Sequence, residues 1–205
     1  MTVDYTLYLA TDHGLLGDRD VRQVVAVAIE NGVSVVQLRE KGESTRAFHE
    51  AGAAILSVTR HYGVPLIIND RVDIMLALDA DGVHIGRDDL PLATVRALAP
   101  DKIIGYSVNQ PEHLATAVAN GADYVGFGPV FSTTTKVAAS APLGLDGLRE
   151  LALDCPIPCV AIGGIQVENA ASVVACGVSG CCVISAILGA PDVGSACQDL
   201  RRTIE

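Results

Sequence analysis

The chain has 205 residues, half of them hydrophobic, and a formal net charge of -10 at pH 7. This acidic balance argues against nucleic acid or an anionic membrane surface as the main partner, and no stretch has the length and apolarity of a membrane-spanning helix. The first residues lack the charged and apolar regions of a signal peptide, which predicts a soluble, cytoplasmic protein. The length suits one large domain or two small ones, with a sizeable core.

Eight short apolar segments recur along the chain and predict eight strands. Their apolar character is nearly continuous, which is typical of strands that are buried on both faces of a parallel sheet. The predicted strands cover residues 6–10, 34–38, 65–68, 82–86, 103–107, 124–128, 159–163 and 181–185.

Amphipathic stretches of helical length separate these strands. Several end before a glycine or carry a proline in the first turn, which are signals for helix ends and starts. The predicted helices cover residues 19–31, 44–62, 91–99, 111–120, 166–176 and 191–202, with two weaker patterns at Val72–Leu78 and residues 145–153.

Eight strand–helix units predict an α/β fold, a single (β/α)8 TIM barrel that forms one catalytic domain over residues 1–205. A doubly wound open sheet is the alternative. It is disfavoured because no Gly-x-Gly-x-x-Gly fingerprint follows the first strand, where Asp12-His13-Gly14 stands instead.

All six cysteines lie between Cys155 and Cys197. The segment Cys155-Pro156-Ile157-Pro158-Cys159 could suggest a metal knuckle, but no second cysteine pair has matching spacing and no histidine follows His113. We therefore expect small buried thiols and no disulfides.

Polar residues follow most of the predicted strands, at the strand ends where reacting groups sit in this kind of barrel. Gln37, Arg39 and Lys41 come at the end of the second strand, and strand alternation puts all three on one side. An amide and two cations held together suit a phosphate-bearing substrate. The alternative is a solvated strand end.

Asp70 and Asp89 follow the third and fourth strands, so their carboxylates are expected to approach one another. Two carboxylates together with substrate phosphates suit Mg²⁺. The alternatives are that Asp70 caps the following helix and that Asp89 caps the helix at Pro91. Asp88 competes with Asp89 for the metal role.

A second anion site is predicted after the sixth, seventh and eighth strands. Residues 132–136 offer four hydroxyls and one ammonium, which suit a phosphate, with a flexible polar loop as the alternative. Gly163-Gly164 lets backbone amides approach a ligand, and Ile184-Ser185 forms the other wall. Two small phosphorylated partners in one barrel mouth predict a joining reaction.

His84 is either a proton donor or a buried, hydrogen-bonded structural residue.

Six motifs carry a family resemblance. They are Gln37-Leu38-Arg39-Glu40-Lys41, Ile68-Asn69-Asp70-Arg71, Gly82-Val83-His84-Ile85-Gly86, Gly126-Phe127-Gly128-Pro129-Val130-Phe131, Thr133-Thr134-Thr135-Lys136 and Ala161-Ile162-Gly163-Gly164-Ile165. In order and spacing they resemble the thiamine-phosphate synthase family across almost the entire chain. The resemblance implies that hydroxymethylpyrimidine diphosphate is coupled to thiazole phosphate, giving thiamine phosphate and diphosphate.

The resemblance also implies roles for single residues. Those implied to hold the pyrimidine diphosphate are Gln37, Arg39, Lys41, Asn69, Ser107 and Lys136. Those implied to hold the thiazole phosphate are Thr133, Thr135, Gly164, Ile184 and Ser185. Asp70 and Asp89 are implied to bind Mg²⁺. The implied chemistry is dissociative, with Arg39, Lys41, Lys136 and Ser107 as the catalytic residues: diphosphate leaves first, and the thiazole nitrogen traps a pyrimidine-stabilised carbocation.

Two positions depart from the family pattern, Arg87 where the family usually has Gln and Ser132 where Pro is common. Three alternatives stay open: a thiazole tautomerase-like isomerase, a non-catalytic barrel that binds thiazole or thiamine phosphates, and a sugar-phosphate isomerase or epimerase. The charged residues Asp70, Asp89 and Lys136, expected together at the barrel mouth, favour the synthase. The sequence leaves open whether copies form a homo-oligomer and whether residues 137–142 close over the site.

Overall fold

Eight parallel strands form a closed barrel in the computed structural model, which describes residues 3–40, 42, 44–133 and 141–205. Each strand pairs with the next one along the chain, and the last pairs with the first. The strands are β1 (Leu7–Ala10), β2 (Val35–Leu38), β3 (Leu66–Asn69), β4 (Gly82–Ile85), β5 (Ile103–Val108), β6 (Tyr124–Phe127), β7 (Cys159–Ile162) and β8 (Gly180–Val183). The predicted (β/α)8 barrel is confirmed, and the open sheet is wrong.

Helices follow the strands along the chain. They are α1 (His13–Leu16), α2 (Val21–Glu30), α3 (Thr45–Tyr62), α4 (Val72–Leu78), α5 (Leu92–Leu98), α6 (Pro111–Ala119), α7 (Gly144–Leu153), α8 (Val167–Val174), α9 (Ser185–Leu188) and α10 (Val193–Ile204). The sequence does not predict α1 and α9, because four residues are too few to show a helical period. Both lie in loops at the C-terminal ends of strands, where they shape the barrel mouth.

Alternate side chains of each strand divide the core into two layers. Leu7 and Leu9 of β1 point outward into the cluster that the helices cover. Tyr8 and Ala10 point inward, into a smaller cluster that also holds Val35, Ile67, Tyr124, Val160 and Cys182. The barrel interior is therefore packed with side chains and is not a pore. Inward-pointing residues nearer the C-terminal ends of the strands are the ones available to a ligand.

Aspartates at the N-terminal ends of the strands have structural partners. The carboxylate of Asp81 accepts the backbone N–H of Leu66 at 2.8 Å, and that of Asp123 accepts the N–H of Ile104 at 2.7 Å. Asp123 also pairs with Arg96 at 2.5 Å. These acids tie the strand starts together, which is the stabilising role expected at this end of the barrel.

The six cysteines are free thiols, and all but the half-buried Cys155 are buried. Among the residues that the structure describes, no three His, Cys, Asp or Glu side chains gather in a group able to hold a metal ion. The buried thiols agree with the expectation from the sequence. In the described residues, no helix combines the length and apolarity that crossing a membrane requires.

Candidate active site

A cavity of about 310 Å³ lies at the C-terminal ends of the strands. The predicted site residues that fall within the described ranges all line this cavity: Gln37, Arg39, Asn69, Asp70, Asp89, Ser107, Thr133, Gly164, Ile184 and Ser185. Lys41, Thr135 and Lys136 lie outside the described residues, as does most of the predicted closing loop at residues 137–142.

Gln37 and Arg39 are both buried at the end of β2. The Gln37 amide nitrogen Nε2 donates to the Tyr8 hydroxyl at 2.9 Å. The Arg39 backbone N–H donates to Thr11 Oγ1 at 3.0 Å, and its guanidinium pairs with Asp12 at 3.2 Å. A buried guanidinium needs such a partner to offset the cost of leaving water. The sequence does not reveal the roles of Thr11 and Asp12, because nothing local to them points to Arg39, which is 28 and 27 positions away.

A line of hydrogen-bonded side chains crosses the barrel interior and lines the cavity. The hydroxyls of Tyr8 and Tyr124 are 2.9 Å apart, and Tyr124 Oη lies 3.0 Å from His84 Nδ1. The other ring nitrogen, His84 Nε2, lies 3.0 Å from Ser107 Oγ. Together with the Gln37–Tyr8 hydrogen bond, these contacts link Gln37 to Ser107, two of the predicted substrate-binding residues. His84 thus fits the hydrogen-bonded alternative, yet it also lines the cavity.

Two glycines make room for this line of side chains. A Cβ at Gly105 of β5 would lie 2.2 Å from Tyr124 Cζ and 2.4 Å from His84 Nδ1. A Cβ at Gly126 of β6 would lie 3.2 Å from His84 Cε1. The signal that could have revealed the arrangement is a tyrosine inside a short apolar strand, where its hydroxyl must be buried. Glycines in neighbouring strands add to that signal.

Asp70 has a left-handed backbone, with φ of 61°. This region is sparsely populated by residues other than glycine, although Asp and Asn tolerate it best. The Asp70 backbone N–H donates to the carbonyl of His84 in β4 at 2.8 Å, which ties the strained residue to the neighbouring strand. The N-cap of α4 is Arg71, with no side-chain cap hydrogen bond. The capping alternative for Asp70 is therefore wrong.

Asp89 is held by the loop that carries it. Its Oδ2 accepts the backbone N–H of Gly86 at 2.6 Å. The N-cap of α5 is Pro91, again without a side-chain cap hydrogen bond, so Asp89 does not cap this helix either. Asp88 lines the same cavity, and the competition between Asp88 and Asp89 for a metal role is unchanged.

The oxygen ligands at this side of the cavity fit Mg²⁺. Asp70 and Asp89 contribute carboxylates, and the neighbouring Asn69 contributes an amide. In the described residues no group of three acidic, histidine or cysteine side chains could enclose a metal ion. Mg²⁺ commonly takes only one or two protein carboxylates and completes its octahedron with water and substrate phosphates. Two carboxylates that line one cavity therefore match this ion and not a fully protein-ligated one.

The glycine pair after β7 forms the opposite wall. Gly163 and Gly164 have φ of 105° and 66°, and a Cβ at Gly164 would lie 2.7 Å from Phe131 Cβ. Only glycine fits both the backbone and the space. The Gly164 carbonyl accepts from Asn169 Nδ2 at 3.0 Å, which anchors the loop to α8. On the same side of the cavity, after the adjacent strand β8, α9 begins at Ser185.

Arg87 departs from the family pattern and also lines the cavity. Its Nη1 lies 3.5 Å from His113 Nε2. The pKa of His113 is lowered, first by partial burial and then by the charge of Arg87. Arg87 therefore adds a cation to the side of the mouth that carries Asp88 and Asp89.

Comparisons with known proteins agree with this geometry. A family model described as thiamine monophosphate synthase matches residues 7–187. The thiamine-phosphate synthase of Chloroflexus aurantiacus is 50% identical over 202 residues, covering 98% of this chain and 94% of that protein. The corresponding protein of Desulfitobacterium hafniense is 48% identical over 98% of this chain and 97% of its own length.

A solved structure extends the likeness to three dimensions. The thiamine phosphate pyrophosphorylase from Pyrococcus furiosus superimposes with a TM-score of 0.89 at 40% identity, covering 98% of this chain and 96% of that one. The match therefore includes the whole barrel. On the family model, the curated relatives and this structure, the chain belongs to the thiamine monophosphate synthase family.

Proposed function

We propose that the barrel mouth couples hydroxymethylpyrimidine diphosphate to thiazole phosphate, giving thiamine phosphate and diphosphate, within a single catalytic domain over residues 1–205. The observation that carries the proposal is the composition of the cavity. It joins Arg39, Asp70 and Asp89 at one side to the Gly163-Gly164 loop at the other. These are two separate anion-binding walls, as a reaction between two phosphorylated substrates requires.

The pyrimidine diphosphate occupies the wall formed by the ends of β2 to β5. Arg39 presents a planar, fixed guanidinium suited to phosphate oxygens, and Asn69 and Ser107 supply hydrogen bonds. Lys41 and Lys136 add positive charge by family analogy. Asp70 and Asp89 would hold Mg²⁺. When bound, the ion neutralises charge that develops on the departing diphosphate.

The thiazole phosphate occupies the wall formed by the loops after β6, β7 and β8. Backbone amides near Gly164 and Ser185 approach the phosphate closely, and the hydroxyl of Thr133 adds a hydrogen bond. Thr135 is assigned to the same phosphate by family analogy alone. A phosphate site built from the loops after the seventh and eighth strands recurs in this fold.

Positioning and charge stabilisation account for the catalysis. The C–O bond between the pyrimidine methylene and the diphosphate breaks, and diphosphate leaves with the electron pair. The lone pair of the thiazole nitrogen then forms the new C–N bond. No proton is removed from that nitrogen, so the step needs no general base. Arg39 stabilises the charge on the leaving group, and holding both substrates in one mouth supplies the orientation.

The alternatives explain less of the cavity. A tautomerase or a sugar-phosphate isomerase needs a single phosphate site and has no use for Asp70 beside Asp89. A non-catalytic binding barrel has no reason to retain that acidic pair. A cytoplasmic location and association into a homo-oligomer stay predictions from the sequence.

The proposal is tested by incubating the purified chain with both substrates and following thiamine phosphate by chromatography, with Mg²⁺ present or removed by EDTA. We expect product only in the complete mixture with the metal. Product formation that EDTA leaves unchanged would contradict the metal role alone. Isomerisation of a thiazole phosphate in a mixture without the pyrimidine diphosphate would favour the tautomerase.

A further inference from the structure

The hydrogen bonds from Gln37 to Ser107 can all run in one direction. An amide nitrogen only donates, so the Tyr8 hydroxyl accepts from Gln37 Nε2. The Tyr8 hydroxyl can then donate a hydrogen bond to the Tyr124 hydroxyl, 2.9 Å away. Tyr124 accepts this hydrogen bond and can donate its own to His84 Nδ1 at 3.0 Å.

The direction continues through the imidazole ring. A neutral histidine whose Nδ1 accepts a hydrogen bond carries its proton on Nε2. That N–H donates to Ser107 Oγ at 3.0 Å. Ser107 uses one lone pair to accept this bond, and its own proton then points to another partner. Ser107 lines the cavity, so a ligand bound there would be that partner.

Both phenols must be neutral for this direction to hold. Tyr8 and Tyr124 are about 1% exposed. Burial raises the pKa of each well above its usual value, so each keeps its single proton. The space cleared by Gly105 holds the Tyr124–His84 pair in contact. Hydrogen bonds in such a chain polarise one another, which reinforces the direction.

We infer that Tyr8, Tyr124 and His84 are positioning residues that fix the Nε2–H tautomer of His84 and thereby make the Ser107 hydroxyl a hydrogen-bond donor toward the substrate. The inference rests on the proposed function, in which Ser107 contacts the pyrimidine. A donor hydroxyl selects an acceptor, and a pyrimidine ring nitrogen is one. A hydroxyl whose proton pointed back at His84 would select an amino group instead.

The first test needs no substrate. Nitrogen-15 NMR of the full-length chain reports which ring nitrogen of His84 carries the proton, with the signals assigned by their loss in His84→Gln. We expect a protonated Nε2 and an unprotonated Nδ1 at neutral pH. A proton on Nδ1, alone or together with Nε2, would overturn the inference. This readout stands even if the chain makes no thiamine phosphate, so it separates a failure of the inference from a failure of the proposed function.

The second test is a double-mutant cycle in the synthase reaction. Tyr124→Phe removes the donor to His84 Nδ1 and should lower kcat/KM for the pyrimidine diphosphate about tenfold, as expected for one lost hydrogen bond. The KM for thiazole phosphate should not change. In a Ser107→Ala background, the same substitution should have no further effect, because the group it positions is gone. Tyr8→Phe repeats the cycle one link further away, in case Tyr124→Phe does not fold.

Additive losses in folded variants would overturn the inference, since they would show that the tyrosines act on the reaction without Ser107. A purely structural role for Tyr124 would lower stability in both backgrounds and leave the ratio between the substrates unchanged. The cycle therefore distinguishes positioning of Ser107 from support of the barrel.

Discussion

Arg39 and Asp12 form an ion pair at the mouth of the barrel, with 3.2 Å between Nη1 and Oδ2. The Asp12 carboxylate also accepts the backbone N–H of Leu15 at 3.2 Å, as the N-cap of α1. The single turn of α1 thus holds the Asp12 carboxylate in place, and this carboxylate holds the Arg39 guanidinium in place. This explains the position of α1: it connects β1 to the residue proposed to grip the leaving diphosphate.

Removing Asp12 should therefore impair Arg39. Asp12→Ala is expected to lower kcat/KM for the pyrimidine diphosphate about tenfold, because a misplaced charge loses part of its stabilisation of the leaving group. The lost N-cap should also lower the free energy of unfolding by about 1 kcal/mol. Steady-state kinetics and denaturant titration measure the two effects.

Asp20→Ala is the matched control. Asp20 caps α2 and pairs with Arg22 at 2.7 Å, but it does not line the cavity. It loses the same two kinds of interaction and should keep full activity. Equal activity in the two variants would show that Asp12 does not position Arg39.

Asp70→Asn removes the charge of a proposed metal ligand while keeping a residue that tolerates its backbone at φ of 61°. We expect turnover to fall about 100-fold, a loss typical of one removed electrostatic group, and the Mg²⁺ requirement to rise, with little change in Tm. The control is Asp79→Asn, at the other non-glycine residue with positive φ in the described ranges, 51°, which lies outside the cavity. Near-normal activity of Asp70→Asn would remove Asp70 from the metal role.

Gly105→Ala adds a methyl group where 2.2 Å separates it from Tyr124. We expect a loss of about 1–3 kcal/mol in the free energy of unfolding from overpacking, together with lower activity because the Tyr124–His84 contact is displaced. Gly147→Ala, inside α7, meets its nearest neighbour at an ordinary 3.5 Å and should stabilise the chain by about 0.5–1 kcal/mol. Thermal unfolding measures the Tm of each variant, and similar Tm shifts in the two variants would refute the packing argument.

Cys155 should be the first thiol to be alkylated. It is half-buried, whereas the other cysteines are buried. Its hydrogen bond with Cys159 lowers the pKa of the Cys155 thiol to about 7, against the opposing effect of burial. The thiolate is the reactive form and predominates above the pKa, so alkylation by iodoacetamide should rise between about pH 6 and pH 8. Peptide mapping checks the site; a fast reaction that persists in Cys155→Ser would contradict the assignment.

The sequence predicts the barrel because every strand carries its own signal, an apolar run of suitable length. It also predicts where Asp70 and Asp89 lie, since the rule that reacting groups follow strand ends needs only strand order. The pairing of Tyr8 with Tyr124 is different, because the two residues are 116 positions apart. Their contact depends on barrel closure and on the space left by Gly105, and neither has a local pattern.

The short helices α1 and α9 likewise have no local pattern that would predict them. Asp12 carries a capping signal, yet one turn is too short for a hydrophobic period. Its contact with Arg39 follows from the pairing of β1 with β2, in which Ala10 lies opposite Gln37. Sequence reasoning therefore finds the residues that face the substrate more readily than those that hold them.

In the proposed function, one cavity joins two phosphorylated substrates with loss of diphosphate. The most direct measurement follows diphosphate and thiamine phosphate in the same quenched samples of a complete reaction. We expect the two products to appear in equal amounts at every time point and neither to form when one substrate is omitted. Absence of both products, with substrates that the relative from Chloroflexus aurantiacus converts under the same conditions, would contradict it.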